Sequence, residues 1–189
     1  MSEILITLLV LGIAAGGVTV YVLNYKPLRK SKVKDLYAEG LDLLITGRRK
    51  SAYKNFKDII QEDSDNIKAY LRLGQVLREG GNASQALKIH RGLIHRRDLM
   101  YYEQIELHKN LALDYYKIGN ISDAIGELHT LLKIEKNSEW ALSQLITFYR
   151  EQQDWEKAGE YFAQYQKLTN KEDKHKLALF KIQEGRILI

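Results

Sequence analysis

The stretch AYLRLGQVLREGGNASQALKIHRGLI, residues 69–94, decides the fold. Tyr70, Leu73, Gly74 and Leu77 fall three or four residues apart and form one face of a helix. Gly80-Gly81-Asn82 interrupts that spacing as a turn. Ala86, His90, Leu93 and Ile94 then resume it. The stretch therefore reads helix, turn, helix. Gly74 and Ala86 are small enough to let the two helices approach, and the larger apolar residues fill the seam. Gly81 accepts the positive φ that ends the first helix.

The pattern recurs in both directions. Gly40 and Gly74 are 34 residues apart, as are Gly47 and Gly81, and Ala52 and Ala86. Ala112, Gly119 and Ala124 carry it on after a 38-residue step, and Ala124 to Ala158 returns to 34. In the first copy Leu36, Gly40 and Leu43 precede Gly47, and Ala52, Phe56, Ile59 and Ile60 follow it. The third copy places His108, Leu111, Ala112 and Tyr115 before the turn and Leu128, Leu131 and Leu132 after it. In the fourth, Leu142, Leu145, Ile146 and Tyr149 precede Gln153, and Ala158, Phe162 and Tyr165 follow. A 34-residue period with this spacing is the tetratricopeptide pattern. Four repeats are expected over 35–170, at about 33–66, 67–100, 105–138 and 139–170. The extra four residues fall near Arg96–Tyr102, where a loop or a lengthened helix is expected. The Pro that usually closes a repeat is missing. Asp65 or Asn66, and Asn137 or Ser138, stand where they can cap the next helix. Residues 171–189 read as a C-terminal helix, a cap or partial fifth repeat, with Leu177, Leu179, Phe180 and Ile182 recurring on a helical scale.

Upstream of the repeats, Ile4 to Tyr25 carry no formal charge over 22 residues. At ~1.5 Å per residue a helix of that length covers a ~30 Å hydrocarbon core. Lys26, Arg29, Lys30, Lys32 and Lys34 follow with no acid among them, whereas only Glu3 and the terminal amine precede the span. The positive-inside rule puts the C-terminal body in the cytoplasm. A cleaved signal peptide would carry its basic residues on the other side of a shorter core. Residues 1–25 are thus expected to anchor and 26–34 to form a basic juxtamembrane stalk held at the anionic leaflet. Gly12 and Gly16 form a small-xxx-small pair, which single spans commonly contain. The fold class is all-α: one N-terminal transmembrane helix, then a right-handed tetratricopeptide superhelix.

Composition narrows the chemistry. The 189 residues contain 29 Lys+Arg, 24 Asp+Glu, one Pro and no Cys. Zero Cys excludes disulfides, thiolate metal sites and a cysteine nucleophile. His90 and His95 are five apart, which misses the i, i+4 spacing of a zinc helix; His90 sits in the seam and reads as a satisfied core histidine. No phosphate loop, nucleophile elbow or acid pair appears. Catalytic, cofactor and metal residues are accordingly set at none, and the protein is not expected to be an enzyme. Arg91, His95, Arg96 and Arg97 could meet anionic lipid or nucleic acid; aromatic rings are not interleaved among them, and a solvated helix end is the plainer reading. The first helix of each repeat is expected to line a concave groove, with Lys68, Arg72, Gln75 and Arg78, then Lys109 and Tyr116, then Arg150, facing in. Cations, an amide and a ring suit an extended acidic peptide.

A set of residues goes beyond what repeat packing demands: residues 69–74 with Arg78, residues 86–91 including Ile89-His90, and Tyr102-Glu103-Gln104. Leu113-Asp114-Tyr115-Tyr116, Gly119, Asp123-Ala124 and Asp154-Trp155 complete it. On these, roughly residues 1–165 resemble the lipopolysaccharide assembly protein B family, bacterial inner-membrane tetratricopeptide proteins. The resemblance implies a cytoplasmic adaptor at the inner membrane that helps a membrane protease degrade the first committed enzyme of lipid A synthesis and joins the envelope-assembly machinery. That family runs on to a rubredoxin-like zinc module with two Cys pairs, and this sequence has no Cys. The scaffold role is therefore the firmer implication. The expected partners are proteins and one membrane, with no nucleic acid. The competing reading is a structural subunit of an envelope machine, assembling through its convex face and C-terminus.

Overall fold

The computed structural model describes residues 2–187, without the side chains of residues 2, 22–30 and 187. Every regular element among the described residues is a helix: α1 Ser2–Ile45, α2 Arg49–Glu62, α3 Ile67–Glu79, α4 Ala83–Leu93, α5 Tyr101–Lys117, α6 Ile121–Ile134, α7 Glu139–Glu151, α8 Trp155–Thr169 and α9 Lys174–Ile187. The chain divides into two compact units, Met1–Ala69 and Tyr70–Ile189.

In the first unit, α1 carries the apolar stretch, the basic stretch and the first repeat's opening helix as one 44-residue helix. Its segment Glu3–Tyr21 has mean hydropathy 2.3 and buries none of its side chains, and is long and apolar enough to cross a membrane. Thr7 and Thr19 do not interrupt it. Their hydroxyls donate back to Glu3 O at 3.0 Å and Ala15 O at 2.8 Å, so neither polar group depends on water. Lys32 and Lys34 are exposed; the side chains of Lys26, Arg29 and Lys30 lie outside the described residues. The end of α1 packs on α2 through Gly40, where an added Cβ would lie 2.9 Å from the Phe56 ring. Tyr37 meets the same ring edge-on at 5.7 Å. Ala52, Phe56 and Ile59 are wholly buried. Asn66 caps α3 by accepting the Ala69 N–H at 3.1 Å.

The second unit repeats the hairpin. Ala86, Leu111, Ala112, Ala124, Leu128, Leu131, Leu145 and Ala158 are wholly buried at the small and seam positions. Gly47, Gly81 and Gly119 all adopt positive φ at the turns, and Gln153 does so at 60° in the fourth. Asn82, Asn120 and Asp154, each directly after the turn residue, cap α4, α6 and α8 from their side chains. Ser138 makes no such side-chain cap and is instead buried.

The four extra residues of the 38-residue step lie in a longer helix, since α5 opens 18 residues after α4 just as α3 does after α2. Non-helical backbone occupies residues 94–100. α5 then runs 17 residues where α3 and α7 run 13. α4 ends at Leu93, which leaves Ile94 43% exposed rather than in the seam position its spacing suggests. The loop is closed by the resemblance residues themselves: Glu103 accepts the Met100 N–H at 3.1 Å, and Gln104 Nε2 donates to Leu99 O at 3.0 Å. Residues 174–187 pack on α8 as α9, with Phe180 buried against Phe162 at 5.4 Å. Gly159 faces Phe180 there, and a Cβ added to it would meet Phe180 Cβ at an ordinary contact distance of 3.4 Å.

Candidate functional site

The opening helices α3, α5 and α7 carry the predicted groove residues, and the structure joins three of them, Arg72, Gln75 and Lys109, in a polar ladder. Arg72 Nη1 donates to Gln75 Oε1 at 2.7 Å, and Gln75 Nε2 donates to Glu79 Oε1 at 2.8 Å. From α3 the ladder crosses to α5, where Arg72 Nη2 lies 3.7 Å from Glu106 Oε2. Glu106 also holds Lys109, its Oε1 3.3 Å from the Lys109 Nζ. Lys109 in turn sits over the Trp140 ring on α7, 5.7 Å from its centroid. Lower on α5, Tyr116 stacks on Phe148 at 4.6 Å and donates its hydroxyl to Glu151 Oε1 at 2.6 Å. That bond to a carboxylate, with burial and the charge of Glu151 adding to it, raises the Tyr116 pKa.

Every cation in the ladder already has an acid beside it. Arg72 and Lys109 flank one carboxylate, and both remain partly exposed, at 30% and 27%. Arg150 is exposed. Lys68 is exposed as well and belongs to the first unit.

Arg78 is placed differently from the sequence expectation. It faces no groove: only 8% of its surface is exposed, and its Nη1 donates to Asp114 Oδ1 at 2.8 Å and Asn110 Oδ1 at 3.0 Å. Its position on α3 turns it toward α5 and not toward solvent. His90 completes the cluster. Its Nδ1 lies 2.5 Å from Asp114 Oδ2, and its Nε2 faces Leu71 O at 3.2 Å. His90 and Asp114 are wholly buried. A Cβ on Gly74 would collide with the His90 ring, so glycine there makes room for the imidazole. The network ties α3, α4 and α5 together across the irregular step. A buried carboxylate held by a guanidinium and an imidazole, with no open side, is a structural site.

His108 and His129 are also engaged. His108 Nδ1 pairs with Glu127 Oε2 at 2.6 Å. His129 Nε2 lies 3.2 Å from the Tyr149 hydroxyl, and Tyr149 stacks on Tyr161 at 5.5 Å. Burial, with Lys133 and Lys157 nearby, lowers the His129 pKa. Among the described residues no group of three or more His, Asp or Glu is placed to hold a metal ion.

Repeated helical hairpins with small residues at the crossings and a positive-φ residue at each turn define a tetratricopeptide-repeat protein. Solved structures agree on the fold. A protein from Desulfovibrio magneticus, MamA, superposes with a TM-score of 0.64 at 17% identity, covering 75% of this chain and 78% of that one. A tetratricopeptide repeat protein from Parabacteroides merdae gives 0.67 at 20% identity, over 82% of this chain and 61% of that one. YrrB, described as a repeat protein with an unusual peptide-binding site, gives 0.58 at 17% identity over 80% and 74%. In sequence the chain is similar to lipopolysaccharide assembly protein B. It is 27% identical to the Escherichia coli protein over 145 residues, 76% of this chain and 37% of that one. The Haemophilus influenzae protein is 27% identical over 157 residues, 78% of this chain and 39% of that one. The chain thus spans less than half the length of these relatives. No protein-family model matches it.

Proposed function

We propose that the chain is a non-enzymatic, membrane-anchored adaptor that binds an extended acidic segment of a partner protein along α3, α5 and α7. Its body lies in the cytoplasm, α1 crosses the bacterial inner membrane, and its setting is lipopolysaccharide assembly or the regulated proteolysis coupled to it. The single observation that carries the reading is the ladder itself: Arg72 and Lys109, both partly exposed, share Glu106. Support comes also from relatives named for lipopolysaccharide assembly, from the repeat fold and from the apolar helix. A partner carboxylate would replace Glu106 on Arg72 or Lys109 through a charge-assisted bond. Trp140 and Tyr116 offer aromatic faces to neighbouring side chains. Tethering to the membrane raises the effective concentration of membrane-borne partners, so modest contacts suffice.

The test is a pull-down from native membranes with Arg72→Glu/Lys109→Glu against wild type. Both side chains are partly exposed, so the fold tolerates the change. Loss of specific partners is expected, and equal recovery removes the groove. Arg78 is unsuitable for this experiment because its reversal would place a second carboxylate beside buried Asp114.

A further inference from the structure

Among the described residues of Tyr70–Ile189, the exposed large apolar side chains are concentrated in one place. Ile94, Met100, Tyr101 and Tyr102 are 43%, 59%, 60% and 42% exposed; outside this stretch only Ile118, Leu179 and Ile182 join them. All four lie in or beside the α4–α5 loop. The same segment carries exposed Arg91, His95 and Arg97, and Asp98 is the only acid within residues 91–102. Arg96 reaches across to the Tyr70 ring at 5.3 Å, which holds the base of the loop against α3. A cavity of about 190 Å³, lined by Arg96, Arg97, Leu99, Gln104 and His108 among others, opens between the loop and α5.

We infer that the α4–α5 loop is a second membrane contact, lying in the headgroup region of an anionic leaflet. Long basic side chains beside aliphatic and tyrosyl groups match the membrane–water interface, where the apolar parts leave water and the cations meet lipid phosphate. A purely electrostatic partner surface would not require Ile94 and Met100 to face solvent. The inference rests on the anchor reading, because a chain tethered by α1 meets the bilayer at high effective concentration. It also gives a role to Tyr101 and Tyr102, which lie in the first turn of the lengthened α5.

The experiment uses the full chain in nanodiscs. It has no native Cys, so a single environment-sensitive fluorophore can be placed at Met100→Cys and, in a separate sample, at Val10→Cys. In discs containing phosphatidylglycerol, a blue-shifted Met100 probe quenched by headgroup-labelled lipid is expected. Arg91→Glu/Arg97→Glu should weaken this contact by roughly tenfold or more, and raised salt should weaken the wild-type contact. A blue-shifted Val10 probe with an indifferent Met100 probe overturns the loop contact and leaves the anchor standing. A quenched Met100 probe with a Val10 probe that shows no blue shift removes the anchor instead. Quenching that survives the charge reversal overturns the anionic-lipid assignment. So does a Met100 probe that ignores lipid and shifts on adding single-stranded RNA.

Discussion

Asp114 is the residue on which the second unit's core most depends. Its two oxygens are held by Arg78 and His90, which lie 36 and 24 positions away in the chain. Asp114→Ala leaves a buried guanidinium without its counter-charge and is expected to destabilise the fold by about 3–5 kcal/mol, measured by urea unfolding followed by circular dichroism. An unchanged midpoint would mean that the network contributes nothing. His129 makes a prediction about pH. Its pKa is lowered in the folded state, chiefly by burial, while the unfolded ring titrates near 6.5. Above that value both states are neutral and the full stability is present. As pH falls below it, the unfolded chain binds the proton first and stability declines. His129→Gln should flatten the acid limb of a stability–pH curve. In the sequence, His90 was readable as a core histidine from its seam spacing. Its partner was not, because apolar periodicity carries no signal for a charged residue placed inside. Arg78 was misplaced for the same reason: an arginine flanking a seam reads as solvent-facing until the acid behind it is seen.

The turns show what single elements require. Glycine occupies the left-handed position in three of them, whereas Gln153 holds φ 60° with a side chain attached. That conformation costs an L-residue roughly 1–2 kcal/mol, partly offset by glycine's larger unfolded entropy. Gln153→Gly is therefore expected to stabilise the α7–α8 hairpin by about 0.5–1 kcal/mol, read as a rise in the thermal midpoint. A fall would show that the Gln153 side chain makes a compensating contact. All four turns were legible from the 34-residue period. The caps were legible in part: Asn66 behaves as its position suggests, while Asn82, Asn120 and Asp154, each directly after its turn residue, take a capping role that helical periodicity does not signal. The step between the second and third repeats was legible as an irregularity in length, but the conformation of the α4–α5 loop was not, since it is set by Glu103 and Gln104 reaching back to the loop backbone.

For the molecule as a whole, the proposed orientation makes a direct prediction. Protease added outside intact spheroplasts should leave the repeats undigested, and permeabilisation should expose them. Cleavage within the repeats of intact spheroplasts would reverse the topology and remove the cytoplasmic partner. The sequence by itself determined the helical class, the repeat period, the turn positions and one segment apolar enough to span a bilayer. Each is a matter of local spacing or composition, read along the chain without knowing what lies across from it. Only the tertiary structure decided which charged residues are interior and which face water, and where apolar side chains are left exposed. Those outcomes depend on groups distant in the chain meeting in space. A guanidinium that finds a buried carboxylate leaves water, and one that finds only a partly exposed acid remains available to a partner.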